Sequence, residues 1–337
     1  MWLFKAFLLG VIYLSLGMDP SIRYFSAAEI HSLLSYDLLI EALKRGFTKQ
    51  YTIPPRMHLN YDNDPESAQN TLLLMPAVSS GEVAGVKIVT VAPDNSKLDI
   101  PTIQGIYYLL DAKTGSPKGL MEAKTLTNWR TAAASALAAN FLAHENAQTL
   151  LMVGTGSLAP YLIDAHACQK PIKKLMIFGR TKEKAESLAQ SKASNFEEVQ
   201  VVDSLEEAVT EADIISVATI SREPLIKGEW LRPSQHIDLV GSYRPDMREA
   251  DNEVIRRSRV YVDTIGMAPK ETGDLALPMA EGILSLGDIQ GDLFRLCRGE
   301  VSGRKTQDEI TLFKSVGHAL EDLVAAQLVL GLSNKNS

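Results

Sequence analysis

Cysteine is almost missing from this chain: its 337 residues include two, Cys168 and Cys297. Two thiols cannot build a disulfide framework, and neither stands in a Cys-x-x-Cys or His/Cys spacing that holds zinc. Both are therefore expected to be reduced and buried, and no metal site is expected. The six histidines are scattered, and His166 and Cys168 read as helix packing residues. Neither Gly-x-Ser-x-Gly nor His-Glu-x-x-His occurs, so a hydrolase would lack its nucleophile or its metal. There is no lysine or arginine stripe, and the net charge is -7. Nucleic-acid binding rests on neutralising phosphates, so no nucleic-acid partner is expected and a small-molecule partner is favoured. A long apolar run is lacking too, apart from MWLFKAFLLGVIYLSLG at the start. Its core of about 12 residues is short for a membrane span and ends without an Ala-x-Ala site. Residues 1–17 are read as an N-terminal extension to a fold that begins near Met18, with an export signal or anchor as the alternative. No membrane partner is expected, and the setting is cytoplasmic.

What remains is ordinary globular material, 45% hydrophobic and 22% charged, long enough for two cores. From Ala27 to Lys49 apolar residues recur at helical spacing, giving one or two amphipathic helices. IPPRMHL breaks that pattern. NTLLLMPAV, EVAGVKIVTVA and TIQGIYYLLDA then read as strands, the last turning through KTGSPKG into LMEA. This predicts an α+β first domain. TNWRTAAASALAANFLA reads as a helix capped by Thr127. After Thr149 continuous apolar strands alternate with helices, the signature of a parallel sheet covered on both faces. The fold class is therefore α/β, a doubly wound parallel sheet plus an α+β domain. The domains are drawn as 18–143 with 308–332, and 144–307. The tail from Asp308 to Leu332 is expected to be one long amphipathic helix.

The glycine turn Gly154-Thr155-Gly156-Ser157-Leu158-Ala159 follows one predicted strand and opens a helix. That is Gly-x-Gly-x-x-Ala in context. The first glycine makes the turn, the second admits a pyrophosphate, and the small sixth residue lets helix and strand approach. A Rossmann-type dinucleotide site is predicted. The second strand ends in Gly179-Arg180-Thr181, with Lys182 and Lys184 beyond. An acid there would bind a ribose hydroxyl and repel a 2'-phosphate, whereas a guanidinium matches a phosphate bidentately. NADPH is therefore expected, with NADH possible if Arg180 is merely solvated.

Three cations stand out in the first half. Counted from a cap at Thr127, Arg130 falls in the first helical turn, where the dipole disfavours a cation, so an anion is expected beside it unless the side chain is simply at the surface. Strand alternation puts Lys87 on one face with Val83, Val89 and Val91, where an ammonium needs a partner unless the strand is an edge and the side chain snorkels. Arg56 follows Pro54-Pro55. Together the three are candidates for a carboxylate pocket.

LTNWRTAAASALAANFLA, VGTGSLA, FGRT, VGSYRPDMREAD, VYVDT, ETGD and LFKSVGHALEDLVAA, in this order, resemble the ornithine cyclodeaminase/mu-crystallin family over residues 18 to 332. The resemblance implies a homodimer whose first domain carries substrate and interface. It also puts Arg56, Lys87 and Arg130 on substrate-carboxylate positions and Thr102 near the nicotinamide. It further assigns Ala218, Thr219 and Gly241 to the cofactor. Cyclodeaminases of the family carry an aspartate right after the glycines of the loop that follows IDLVG; here the loop reads Ser242-Tyr243-Arg244-Pro245-Asp246, with Tyr243 at the departure and Asp246 displaced, which is more similar to the imine-reducing branch. The implied activity is NAD(P)H-dependent reduction of a cyclic imino acid, 1-pyrroline-2-carboxylate to L-proline. The alternatives are ornithine cyclodeaminase, alanine dehydrogenase and a non-catalytic binding protein.

Overall fold

The structure, a computed structural model, describes residues 22–62 and 67–335, so the extension predicted over residues 1–17 lies outside the described residues. The described chain forms two compact units. The first comprises residues 22–33, 51–126 and 326–335, and the second residues 34–50 and 127–325. Among the described residues no helix is long and apolar enough to cross a membrane.

The first unit is built on a six-stranded sheet of β1 (Tyr24–Phe25), β2 (Met57–Tyr61), β3 (Asn70–Ser79), β4 (Val83–Val91), β5 (Ile103–Asp111) and β6 (Pro117–Glu122). Its order is β1-β6-β5-β4-β3-β2, with β2 to β6 antiparallel and β1 parallel to β6. Tight turns fix the register. Asp111 accepts the amide N–H groups of Lys113 and Thr114, and Gly115 takes φ +72, a conformation open to glycine at little cost. One cross-strand row, Met75, Lys87, Tyr107 and Met121, is buried, while Met57 and Ile106 of the neighbouring row Met57, Leu74, Ile88 and Ile106 are exposed. Helix α1 (Ala27–Leu33) belongs to the same unit. Strand β2 had no signal in the sequence, because it is short, exposed along its whole length and preceded by two prolines.

The second unit is a doubly wound eight-stranded sheet, every pair parallel. Its strands are β7 (Thr149–Val153), β8 (Lys174–Phe178), β9 (Glu198–Val201), β10 (Ile214–Val217), β11 (His236–Leu239), β12 (Ser258–Val262), β13 (Gly291–Asp292) and β14 (Ile310–Lys314). The order is β13-β12-β14-β11-β10-β7-β8-β9. Fully buried Ile215, Val217, Ile237, Leu239, Val262 and Leu312 make its core, each such side chain worth about 1.5–3 kcal/mol on burial. Crossover helices α4 (Ala159–Gln169), α5 (Lys182–Lys192) and α6 (Leu205–Glu211) follow β7, β8 and β9.

Four expectations are corrected. The tail is not one helix. Ile310–Lys314 is a fully buried strand between β12 and β11, and only Ala319–Lys335 is helical. Nor do the compact units follow the boundaries drawn at 143/144 and 307/308. Helix α2 (Tyr36–Thr48) groups with the parallel sheet because Tyr36 stacks on Trp129 at 4.4 Å and Phe47 meets Phe294 edge-on at 5.0 Å. Helix α3 (Ala123–Leu142) begins four residues before Thr127, since the Glu122 carboxylate accepts the amides of Lys124 and Thr125 at 2.9 and 2.7 Å and so satisfies its first turn. Finally, both cysteines are free but neither is buried. Cys168 is exposed and donates to Asp37, and Cys297 is half-buried.

Candidate active site

Strands β7 and β10 lie side by side, and the chain leaves them in opposite directions, β7 towards β8 and β9, β10 towards β11. Ligands of such sheets bind outside the carboxyl ends at this switch point. Here the glycine turn follows β7. Gly154 has φ +112, and a Cβ on it would come 2.5 Å from the carbonyl oxygen of Ala218 after β10. Only glycine allows the two loops to approach so closely. A Cβ at Gly156, by contrast, would meet nothing within 4 Å. The space over Gly156 is open to something outside the chain. Helix α4 begins at Ala159 with Pro160 in its first turn and no side-chain cap, so its amide donors and positive dipole end face that space. These features fit a dinucleotide pyrophosphate. A cavity of about 470 Å³ beside the turn is lined by Thr155, Gly156, Ser157, Glu183 and Lys184 among others. Arg180 and Thr181 are exposed at the end of β8.

At the same edge, Ala218 and Thr219 follow β10 and Gly241 follows β11. A Cβ on Gly241 would stand 2.0 Å from the Thr219 carbonyl oxygen. Asp263, just past β12, accepts the amides of Val316 and Gly317 past β14, both at 2.7 Å. Gly317 in turn packs on Arg130, where a Cβ would come 2.6 Å from Nη1. Arg130 is thereby brought to the carboxyl edge of the sheet. It is 4% exposed, donates from Nη1 to Glu321 at 2.6 Å and from Nε to Asp322 at 3.0 Å. The anion expected beside it exists, but the chain supplies it. With α3 starting at Ala123, Arg130 lies about two turns in, so it is those carboxylates and not the helix terminus that govern it. Burial pushes the Glu321 carboxyl up to about 7, against the pull of Arg130.

The remaining candidates belong to the first unit. Lys87 is 3% exposed on a strand flanked on both sides, so it is not an edge residue snorkelling to water. It pairs across strands with Met75 and Tyr107. A Cβ at Gly85 would be 2.3 Å from the Tyr107 hydroxyl, so the absence of a side chain there makes room for the ring beside Lys87. Arg56 directly precedes β2, whose first pair is Met57 with Leu74, and one step on, Met75 faces Lys87. Register therefore puts Arg56 and Lys87 in one row. It does not bring Thr102 there: Thr102 precedes β5, five residues from Tyr107, or about 16 Å along the strand.

Sequence reasoning missed a buried trio. Glu249, Asp274 and Lys314 are each fully buried, with Lys314 Nζ 3.2 Å from Asp274 and 3.6 Å from Glu249. They come from the quoted segments VGSYRPDMREAD, ETGD and LFKSVG, but spacings of 25 and 40 residues give no local pattern to read. In the loop after β11, Ser242 is fully buried, donates to the Met247 carbonyl and shares a hydrogen bond with Thr272. Asp246 is at the surface, paired with Arg244 and Arg222.

An all-parallel doubly wound sheet with an open glycine turn at its switch point defines a dinucleotide-binding protein, here with a buried arginine at the same edge. The sequence profile of the ornithine cyclodeaminase/mu-crystallin family matches residues 23–335, and the chain belongs to that family. It is 37% identical to a Delta(1)-pyrroline-2-carboxylate reductase of Colwellia psychrerythraea, over 91% of this chain and 98% of that protein. Among solved structures it is similar to the Delta(1)-pyrroline-2-carboxylate reductase of Thermococcus litoralis in complex with NADH and L-proline, at 32% identity and TM-score 0.86, covering 94% of this chain and 98% of the other. An archaeal alanine dehydrogenase dimer with bound NAD gives the same TM-score at 26% identity, with 94% and 97% covered.

Proposed function

We propose that this protein reduces 1-pyrroline-2-carboxylate to L-proline with NAD(P)H. What carries the reading is the glycine turn at the switch point, together with relatives and solved neighbours that act on or hold this chemistry. The parallel unit is the proposed cofactor domain and the antiparallel unit the proposed substrate and dimerisation domain. The cofactor supplies a hydride to the imine carbon. Arg56, Lys87 and Arg130 are the proposed holders of the substrate carboxylate, with Thr102 carried over on the resemblance alone. The two carboxylate contacts of Arg130 use Nε and Nη1 of a group with five donors, so donors remain for a substrate. Glu321 and Asp322 fix the fork in place beforehand, and hydride transfer depends chiefly on such positioning. The ring nitrogen needs a proton, for which Lys87, a buried ammonium, is the proposed source. Tyr243, which stands where the cyclodeaminases carry their aspartate, offers a phenol rather than a carboxylate, which argues against cyclodeamination.

NADPH is the proposed preference, on Arg180 at the end of β8, although the two solved neighbours hold NADH and NAD. The purified protein should oxidise NADPH in the presence of 1-pyrroline-2-carboxylate and release no ammonia from ornithine. Silence with the imine, or ammonia from ornithine, would reject the reading. In Arg180→Asp, loss of one charge-assisted pair worth about 1.5–3 kcal/mol should raise the KM for NADPH some tenfold or more and spare NADH. Equal effects on both cofactors would place the preference elsewhere.

A homodimer is proposed on the sheet face that carries Met57, Leu59 and Ile106, which are 53%, 45% and 38% exposed. Such an apolar face on a β-sheet is costly in water. Ile106→Glu should halve the mass measured by sedimentation equilibrium, and an unchanged mass would move the interface off this face. The proposed setting is the cytoplasm, where the free Cys168 and Cys297 would stay reduced.

A further inference from the structure

Four donors converge on the buried carboxylate of Glu249. Oε1 accepts the backbone amide of Thr219 at 2.7 Å and its hydroxyl at 2.9 Å. Oε2 accepts the amides of Gly241 at 2.9 Å and Ser242 at 3.1 Å. Thr219 lies past the end of β10, and Gly241 and Ser242 lie past the end of β11. One side chain therefore splints the two loops. The contact is close by construction, since a Cβ on Gly241 would come 2.7 Å from Glu249 Oε1 as well as striking Thr219.

Glu249 is itself anchored from behind. Its amide and that of Ala250 donate to Asp274 Oδ1 at 2.7 and 3.1 Å. Lys314, the last residue of β14, supplies the countercharge to both acids. Taking three ionisable groups out of water is unfavourable, and apolar residues of similar size could hold two strands together as well. Apolar side chains could not accept the amides of the loops beyond the strands, where the ladder has run out. The four donors favour the ionised, acceptor-only form and so pull against burial, which pushes the Glu249 carboxyl up to about 7; a protonated carboxyl or an amide would turn a donor towards one of them.

We propose that Glu249 is the positioning residue of the cofactor cleft: it holds the β10 and β11 loops at the separation that lets Ala218, Thr219 and Gly241 form the wall for the nicotinamide half of the dinucleotide. In a doubly wound sheet the dinucleotide crosses the switch point, so its adenine half goes with Gly179 and Arg180 and its nicotinamide half with these loops. The inference rests on the dinucleotide reading. It assigns no chemistry to Glu249, which acts through the backbone it holds.

Glu249→Gln keeps the shape but puts an NH2 against one pair of donors. NADPH affinity, measured by quenching of protein fluorescence, should weaken about tenfold or more, as expected for loss of hydrogen bonds to a charged acceptor. At saturating NADPH, kcat should fall while the KM for the imino acid stays near that of the unaltered protein. A variant that melts at a lower temperature but binds NADPH as tightly as before would overturn the proposal, because that is what a purely structural strut would do. Thr219→Val removes one of the four bonds and leaves the carboxylate in place. If Glu249→Gln does not fold, Thr219→Val decides: a smaller loss of NADPH affinity at unchanged melting temperature supports the splint, and unchanged affinity rejects it. Failure of the unaltered protein to bind either NADPH or NADH would instead reject the dinucleotide reading itself.

Discussion

Arg130→Met should cost the protein both stability and activity, and the two losses should be separable. Removing the guanidinium leaves Glu321 and Asp322 facing each other in the interior, each fully buried. Stranding a buried charge in this way destabilises by about 3–5 kcal/mol, a drop of roughly 10 °C in melting temperature for a unit of this size. Glu321, already raised to about 7, will respond by holding its proton to still higher pH. Adding Glu321→Gln to Arg130→Met removes one of the stranded charges and should restore part of the stability. It should not restore catalysis, because the proposed carboxylate anchor is still missing. A loss of about 2–4 kcal/mol in transition-state binding, some 30-fold to 1000-fold in kcat/KM, should persist in the double variant. Near-normal kcat/KM in the double variant would show that Arg130 serves only the fold.

The second large effect separates the two glycines of the turn. Alanine at Gly154 would have to adopt φ near +112 and push its Cβ against the Ala218 carbonyl oxygen. Strain of about 1–3 kcal/mol, plus the clash, should lower the melting temperature of the cofactor-free protein and abolish measurable NADPH binding. Gly156→Ala meets no atom of the chain. Its cofactor-free stability should be unchanged or slightly higher, as alanine restricts the unfolded chain more than glycine does. Its NADPH affinity should nevertheless collapse, because the methyl group fills the space over which a pyrophosphate lies. Unimpaired NADPH binding by Gly156→Ala would remove the phosphate from this turn.

The two halves of the molecule differed in how openly the sequence spoke. Strands such as Leu150–Val153 and Leu175–Phe178 are apolar throughout and bounded by glycine or polar turns, so β7 to β12 could be read by period and punctuation. Strand β14 escaped because it carries Thr311 and Lys314, residues that look exposed until a partner is found for each. Thr311 meets His236 and Lys314 meets Glu249 and Asp274, all from distant segments. The start of α3 was misplaced for a related reason. Thr127 has the look of a cap, but Glu122, at the end of a strand, was already capping five residues earlier. Arg130 was singled out by an argument that proved misplaced, yet the demand for an anion was sound and was met from residues 191 and 192 positions further along. Local chemistry was legible throughout, and pairings made only by the tertiary fold were not.

Strand β14 also sets an order in time. It is the last strand in the sequence but pairs on both sides, with β11 and with β12, deep within the sheet. A nascent chain that has produced everything up to β13 therefore still has a gap through its parallel sheet, with two unsatisfied edges facing each other. Lys314, Gly317, Glu321 and Asp322 arrive only with that closing segment, so a chain at that stage has neither the countercharge for Glu249 nor the partners that hold Arg130. The glycine turn is made long before β14, and the cleft around it is completed only when β14 arrives. Folding must wait for pairings of long sequence separation, which are slow to form and leave open strands exposed to association while they do. For such a molecule the vulnerable interval is the one between the synthesis of β12 and the insertion of β14, and a binding-competent fragment shorter than the whole parallel unit is not to be expected.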